Sequence, residues 1–257
     1  MRKVFLGIVT ALTMAGASAS AQAALVNEGN GLIYDTVTNV TWSQDANLFQ
    51  TMFASNSNLV NDIIAADPVI YDIPNAYDNP TDSGTYHVSQ VDFYAEYGAM
   101  TWYGSQAFVG YLNHIAYKGY KTWALPSPDT SCSLYTTCTT GQYGELFWDE
   151  MNGVVGLGGM PAQSPNYGPF VNVALSGNYW TGEQYQPNPS YAWAFTPVNG
   201  DETAFHQDAF GLAWAMLPGN VAAVPEPADY EMLLVGLGLV GFAVRLRNFA
   251  VRCVGRC

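Results

Sequence analysis

Basic residues are almost missing from the middle of this chain. Of its 8 Lys and Arg, two lie near the N-terminus and four beyond Val244, which leaves Lys118 and Lys121 between Ala24 and Val224. The same span holds eighteen carboxylates, all 21 Asp and Glu except Glu226, Asp229 and Glu231, so its net charge is −16. Such a body repels phosphate backbones, which excludes nucleic acid as a partner. Acidic polysaccharides are repelled too unless a divalent cation bridges them. Histidine is as scarce: His87, His114 and His206 are the only three, and no two stand at ligand spacing on a shared element. A distant pair can meet only through the fold. The chain has no G-x-S-x-G elbow, no Cys/His nucleophile pair, no H-E-x-x-H and no phosphate loop. The glycines between Gly153 and Gly159 lack a preceding strand and a following Lys, and read as a flexible loop.

Cysteine is sparse as well. Cys132 and Cys138 are the only thiols between Ala24 and Val224, in the polar loop from Ser131 to Thr140. A five-residue spacer closes as a local disulfide in an oxidising compartment. A metal reading would need further ligands in that loop, and it holds none.

What the chain does have lies first at its ends. Met1 to Ala23 carries Arg2 and Lys3, an uncharged apolar stretch from Val4 to Ala15, and Ala21-Gln22-Ala23. This is the layout of a signal peptide with its A-x-A cleavage pattern, and residues 1–23 are set aside from the fold. At the other end, Met232 to Val244 is an uncharged run of thirteen residues. A bilayer requires about twenty, which counting from Ala228 just supplies, so a transmembrane helix is expected over about 228–244. Arg245 and Arg247 act as the membrane stop and, with Arg252 and Arg256, stay cytoplasmic by the positive-inside rule. Everything upstream is then outside. Cys253 and Cys257 fall on the reducing side.

Val224-Pro225-Glu226-Pro227, the short apolar segment and the terminal Arg cluster together resemble the PEP-CTERM sorting signal of Gram-negative bacteria. The resemblance spans 221–257 and implies that an exosortase, a membrane cysteine transpeptidase, recognises Pro225, Glu226 and Pro227. The chain would cross the inner membrane, lose its leader to signal peptidase and be anchored until processed for the surface or the medium. Members usually stop soon after the arginines, whereas this chain continues from Asn248 to Cys257.

Residues 24–220 suffice for one domain with a substantial core. Gly31–Asp35 and Val40–Trp42 read as a hairpin, and apolar spacing from Asn47 to Ala66 allows helix. Asp67 to Gly84 reads as a Pro/Asp/Asn-rich insertion whose tyrosines pack locally. One or two helices are predicted between Val91 and Tyr117, ended by Gly119, and another over Tyr143–Met151. Short strands are predicted at Asn178–Trp180, Tyr191–Phe195 and Gly211–Met216, with Asp201 and Glu202 in a turn. Five landmarks in order, Gly31 to Trp42, Gly119 to Pro126, Gly144 to Trp148, Tyr179 to Glu183 and Ala192 to Phe195, resemble the DUF1566, or Lcl C-terminal, domain. The resemblance implies an α+β fold, C-type-lectin-like and formylglycine-generating-enzyme-like, with much irregular chain. Ala124 and Ala215 stand where Arg is usual in that family, which puts any function of those arginines in doubt.

Candidate chemistry is limited. Glu145 and Asp149, four apart on a predicted helix, are weak candidates for Ca²⁺ against the reading as a solvated face. Gln186-Pro187-Asn188 is similar to the sugar and calcium tripeptide of C-type lectins, but no Trp-Asn-Asp partner follows it. Trp180, Tyr185, Tyr191, Trp193 and Trp214 cluster in sequence, and aromatic platforms bind sugar rings while amides fix their orientation. Tyr185, Gln186, Asn188 and Trp193 are therefore the candidate glycan-binding residues, with no catalytic residue and no cofactor expected. The leading expectation is a non-enzymatic lectin-like or adhesion module linked to exopolysaccharide or biofilm. The alternatives are a divergent enzyme of the formylglycine-generating group and a purely structural coat. Replacing Pro225, Glu226 and Pro227 by alanine is expected to leave the tail attached and the chain in the inner membrane. Mass analysis of the fractionated host checks this, and unchanged maturation would count against the sorting role.

Overall fold

The structure is a computed structural model that describes residues 25–134, 136–154 and 167–221. The expected signal peptide, transmembrane segment, Pro225-Glu226-Pro227 and Arg245 and Arg247 lie outside them. Among the described residues no helix is long and apolar enough to cross a membrane.

The architecture is α+β, with small antiparallel sheets around helices. Strands β1 (Leu25–Gly29), β2 (Leu32–Asp35) and β3 (Val40–Ser43) open the domain. The helices α1 (Leu48–Ser55) and α2 (Leu59–Ala66) follow. Two hairpins, β4 (Val69–Tyr71) with β5 (Thr85–His87) and β6 (Phe93–Tyr94) with β7 (Ala99–Met100), lead to α3 (Trp102–His114). Next come β8 (Thr136–Thr137) and α4 (Gly141–Glu145), the latter running on as π-helix over Leu146–Glu150. The last strands are β9 (Tyr179–Gln184), β10 (Tyr191–Thr196), β11 (Asp201–His206) and β12 (Met216–Pro218). One sheet has the order β1-β2-β3-β12 and the other β8-β11-β10-β9.

The predicted hairpin is present, Ile33 facing Trp42 across β2 and β3. The helix-permissive stretch 47–66 is two helices, because Asn56 turns extended and its side chain accepts from Asn58 N–H and donates to Asp62 instead of continuing the turn. Only the second half of 91–117 is α-helix. Asp92, fully buried, accepts from Tyr86 Oη at 2.9 Å, Ser89 N–H at 2.8 Å and Thr101 Oγ1 at 2.8 Å, which draws the chain into 3₁₀ turns and a tight hairpin. Gly98 closes that hairpin with φ +69°, and a Cβ there would collide with the Asn47 side chain. Thr101 then caps α3. The helix ends at His114 and not at Gly119, with Ala116 taking the left-handed conformation. The tyrosines of the 67–84 insertion do not pack locally as expected: Tyr71 is 81 % exposed, and Tyr77 reaches His206 and Asp208.

Two apolar clusters share β10. Ala192 and Ala194 face the helices with Phe49, Phe108, Leu112, Trp102 and Trp180, while Phe195 faces an aromatic layer of Trp42, Tyr143, Phe147, Tyr179 and Trp214. Small residues on one face of the strand and a large one on the other let both layers approach the same backbone. The predicted strand 211–216 is mostly a stitch between sheets. Gly211 bridges Met100, Leu212 bridges Tyr179, and regular pairing begins only at Met216, opposite Trp42. Buried indoles donate where the chain is irregular: Trp214 to Ser43 O at 2.8 Å, Trp180 to Met100 O at 3.0 Å and Trp102 to Thr181 O at 3.0 Å.

Trp214 packs on Trp42, Phe170 and Tyr179, with ring centroids 4.9 to 5.5 Å apart. Trp214→Ala is expected to cost about 3–5 kcal/mol in urea unfolding. Trp214→Phe is expected to cost about 1–3 kcal/mol, because it orphans the Ser43 carbonyl. A negligible loss in both would contradict this packing.

Candidate functional site

A groove of about 720 Å³ opens between two loops that are far apart in sequence. One wall is the disulfide loop, through Thr130, Cys132, Ser133 and Leu134; the other is the β9–β10 turn with Glu183, Tyr185, Gln186, Pro187 and Trp193. Tyr185 is half-buried, and its ring meets that of Trp193 edge-on, at 5.2 Å and 82°. Trp193 is buried and props the more accessible Tyr185 from below.

The turn is built by its own backbone. Tyr185 N–H donates to Tyr191 O, Asn188 N–H to Tyr185 O and Tyr191 N–H to Asn188 O, each at 2.8 or 2.9 Å. Gln184, just before it, clamps the turn to the insertion: its Oε1 accepts from Ile73 N–H at 2.6 Å, and its Nε2 donates to Pro189 O at 3.0 Å. Three of the four predicted glycan residues, Tyr185, Gln186 and Trp193, therefore line one groove. Asn188 does not, since its Oδ1 accepts from Ser190 N–H inside the turn.

The opposite wall is held by a disulfide and a buried carboxylate. Cys132 and Cys138 are joined. Glu202 is fully buried; its Oε2 accepts from Asp129 N–H at 2.7 Å, and its Oε1 has no partner. Asp129 in turn accepts from Ser131 N–H at 2.9 Å and from the hydroxyls of Ser131 and Thr140, and these hydrogen bonds hold its carboxyl below the usual range. At Gly141, with φ +79°, a Cβ would stand 3.0 Å from Glu202 Oε1, so only glycine lets the loop pass over that carboxyl. Trp148 closes the wall, donating from Nε1 to Cys138 O at 3.0 Å.

One expectation needs correction. Asp201 and Glu202 are not in a turn: they begin β11 opposite Thr196 and Phe195, and both are buried. The turn is completed by Gly200 at φ +66°, whose Cα hydrogen faces Trp148. Nothing in the sequence distinguishes this acidic pair from a solvated one. Glu145 and Asp149 do approach each other across the change from α to π pitch, and burial first, then Asp149, raises the Glu145 carboxyl. Their donor atoms do not gather with a third acidic, His or Cys ligand. Among the described residues the one such group is Asp129 with the two sulfurs already spent in the disulfide.

Glu150, which no motif or spacing marks, neighbours that pair. Among the described residues neither of its carboxylate oxygens accepts from a backbone or side-chain donor. Burial, then the charge of Asp35, pushes its carboxyl up to about 8. Burial likewise pushes Glu202 up to about 7, and burial with the neighbouring Asp78 pushes Asp72 up to about 6. Each folded value lies above the ordinary one, so the fold binds these protons more tightly than the unfolded chain. Their stabilisation is full below about pH 4 and is lost as pH rises through about 6 to 8. The melting temperature is expected to fall between about pH 5 and pH 8.5, and the Glu150→Gln, Glu202→Gln pair to flatten that slope. A melting temperature rising over this range would contradict the assignment.

No curated protein and no solved structure matches the chain. Residues 223–248 match the PEP-CTERM protein-sorting motif. The tail therefore marks this chain as an exported protein, held by a C-terminal membrane anchor before an exosortase processes it.

Proposed function

We propose that the exported domain is a non-enzymatic, lectin-like binding module whose groove takes a neutral or amine-bearing saccharide of an extracellular polysaccharide. The observation that carries this reading is the Tyr185 ring, propped by Trp193 beside Gln186 in an open groove. An aromatic face stacks on the apolar face of a sugar ring, while Gln186, Thr130 and Ser133 offer amide and hydroxyl groups for its hydroxyls. Glu183 on the rim and the net charge of the domain disfavour an acidic sugar. The mixture of small antiparallel sheets with irregular chain supports the lectin-like and Lcl-type resemblance. An oxidase of the formylglycine-generating type is the weaker reading, because the two cysteines it would draw on are consumed in a disulfide.

On a glycan array the secreted protein is expected to retain neutral or amino-sugar oligosaccharides. Tyr185→Ala should weaken retention about tenfold, the equivalent of about 1.4 kcal/mol of stacking. Tyr97→Ala, which removes a 62 % exposed tyrosine elsewhere, should not. Equal losses in both variants, or no retention at all, would overturn the reading.

A further inference from the structure

Lys118 and Lys121, the only Lys or Arg residues between Ala24 and Val224, stand where the chain leaves the domain for its sorting tail. They flank Tyr120 in the loop that follows α3, and Tyr120 Oη donates at 2.9 Å to the carbonyl of Val221, the last described residue. Val221 N–H donates in turn to Thr41 Oγ1 at 3.3 Å, so the exit of the chain is pinned between β3 and this loop. Eighteen carboxylates share the span, yet among the described residues neither ammonium is paired with one. Lys118 Nζ donates to the Asn30 carbonyl and lies 5.2 Å from the centre of the Tyr117 ring, and Lys121 is exposed.

The loop is a tight knob of apolar, aromatic and basic side chains. Ala116, Lys118 and Gly119 take φ of +50°, +53° and +88°, which turns the chain sharply over residues 115–121. Trp123 closes it: its N–H donates to Asn113 Oδ1 at 2.6 Å and its indole to Tyr117 O at 3.1 Å. Tyr117 and Tyr120 pack partly against the helical core, while Ile115 is 42 % exposed. Tyrosine beside lysine is the mixture found at membrane interfaces, where rings sit at headgroup depth and ammonium groups meet phosphate. Six residues, 222–227, separate Val221 from Ala228, where the anchor is expected to begin. Fully extended they span at most about 25 Å, so this knob stays beside the bilayer as long as the anchor is in place.

We propose that the surface formed by Ile115, Tyr117, Lys118 and Lys121 docks on the anionic phospholipid headgroups of the membrane that holds the tail, and so orients the anchored domain before processing. Charge complementarity selects that occupant: the two lysines are drawn to an anionic surface, and the carboxylates of the rest of the domain are repelled by it. The domain is thereby turned with its one basic pole toward the bilayer. A lysine beside such a surface shifts partition about fivefold, too little to recruit a free protein. A short tether raises the loop's effective concentration at the membrane to the millimolar range, where such weak attraction is enough. Docking holds Pro225, Glu226 and Pro227 between a fixed Val221 and the anchor, at the depth where a membrane-embedded exosortase meets them. The docking surface is independent of the saccharide groove.

The test places the full chain in nanodiscs of phosphatidylcholine, with and without phosphatidylglycerol. Amines are labelled with an uncharged N-hydroxysuccinimide ester and read at Lys118 and Lys121 by mass spectrometry, with a free lysine peptide as internal standard. Phosphatidylglycerol is expected to slow labelling of Lys121 about fivefold or more, and a long Gly/Ser insertion after Val221 to restore most of the rate. Lys121→Glu, at an exposed position, should abolish the slowing at Lys118 while leaving the melting temperature unchanged. Equal labelling in the two kinds of disc would overturn the docking. So would the same slowing in neutral detergent micelles, which would place the tail's own Glu226, Asp229 and Glu231 on the lysines instead of lipid.

Discussion

Carboxylates without cations are the constraint under which this domain folds. Two lysines stand against eighteen acidic groups, and Lys118 gives its ammonium to the carbonyl of Asn30. Buried carboxylates must then be satisfied by backbone N–H, hydroxyls and indoles, or keep a proton. Asp35 takes the N–H groups of Val37 and Thr38, the Thr38 hydroxyl and the Trp42 indole. Asp92 takes two hydroxyls and a backbone N–H. Glu150, whose carboxylate oxygens meet no donor among the described residues, has its carboxyl pushed up by burial and then by Asp35.

The same device shapes the groove wall and the insertion. Glu202 gathers the disulfide loop through Asp129, and Asp78 gathers the insertion through Asn75 and Gly84. Gln184 then ties that insertion to the β9–β10 turn. Tyr77 is thus placed by a loop whose shape is set by the Asp78 carboxylate, and Tyr185 by a turn closed by its own backbone and tied to that loop through Gln184. Irregular chain holds a fixed surface here because each loop encloses its own hydrogen-bonded anchor.

Much of this was legible in the residues. The β2–β3 hairpin, the strands around Trp180 and Trp193 and the disulfide follow from periodicity and spacing, and the sorting tail from its resemblance to the PEP-CTERM signal. Three of the four candidate sugar contacts also meet in space, because they flank one turn. The rest depended on where acidic side chains go. Asp92 breaks a helical pattern from within, Asp201 and Glu202 are a buried strand start that reads as a turn, and Asn56 divides one apolar series into two helices. The partners of His206 come from Tyr77 and Tyr191, too distant in sequence for any spacing rule to join.

Burial pushes the Glu150 and Glu202 carboxyls up toward and above neutral pH, so both are expected to keep protons in the folded chain. Infrared spectroscopy near neutral pH tests it directly, through the carbonyl stretch of a protonated carboxyl group. The account predicts such a band in the unaltered protein, its weakening in Glu150→Gln and its near loss in the Glu150→Gln, Glu202→Gln pair. A spectrum showing ionised carboxylates only, identical in both variants, would contradict it.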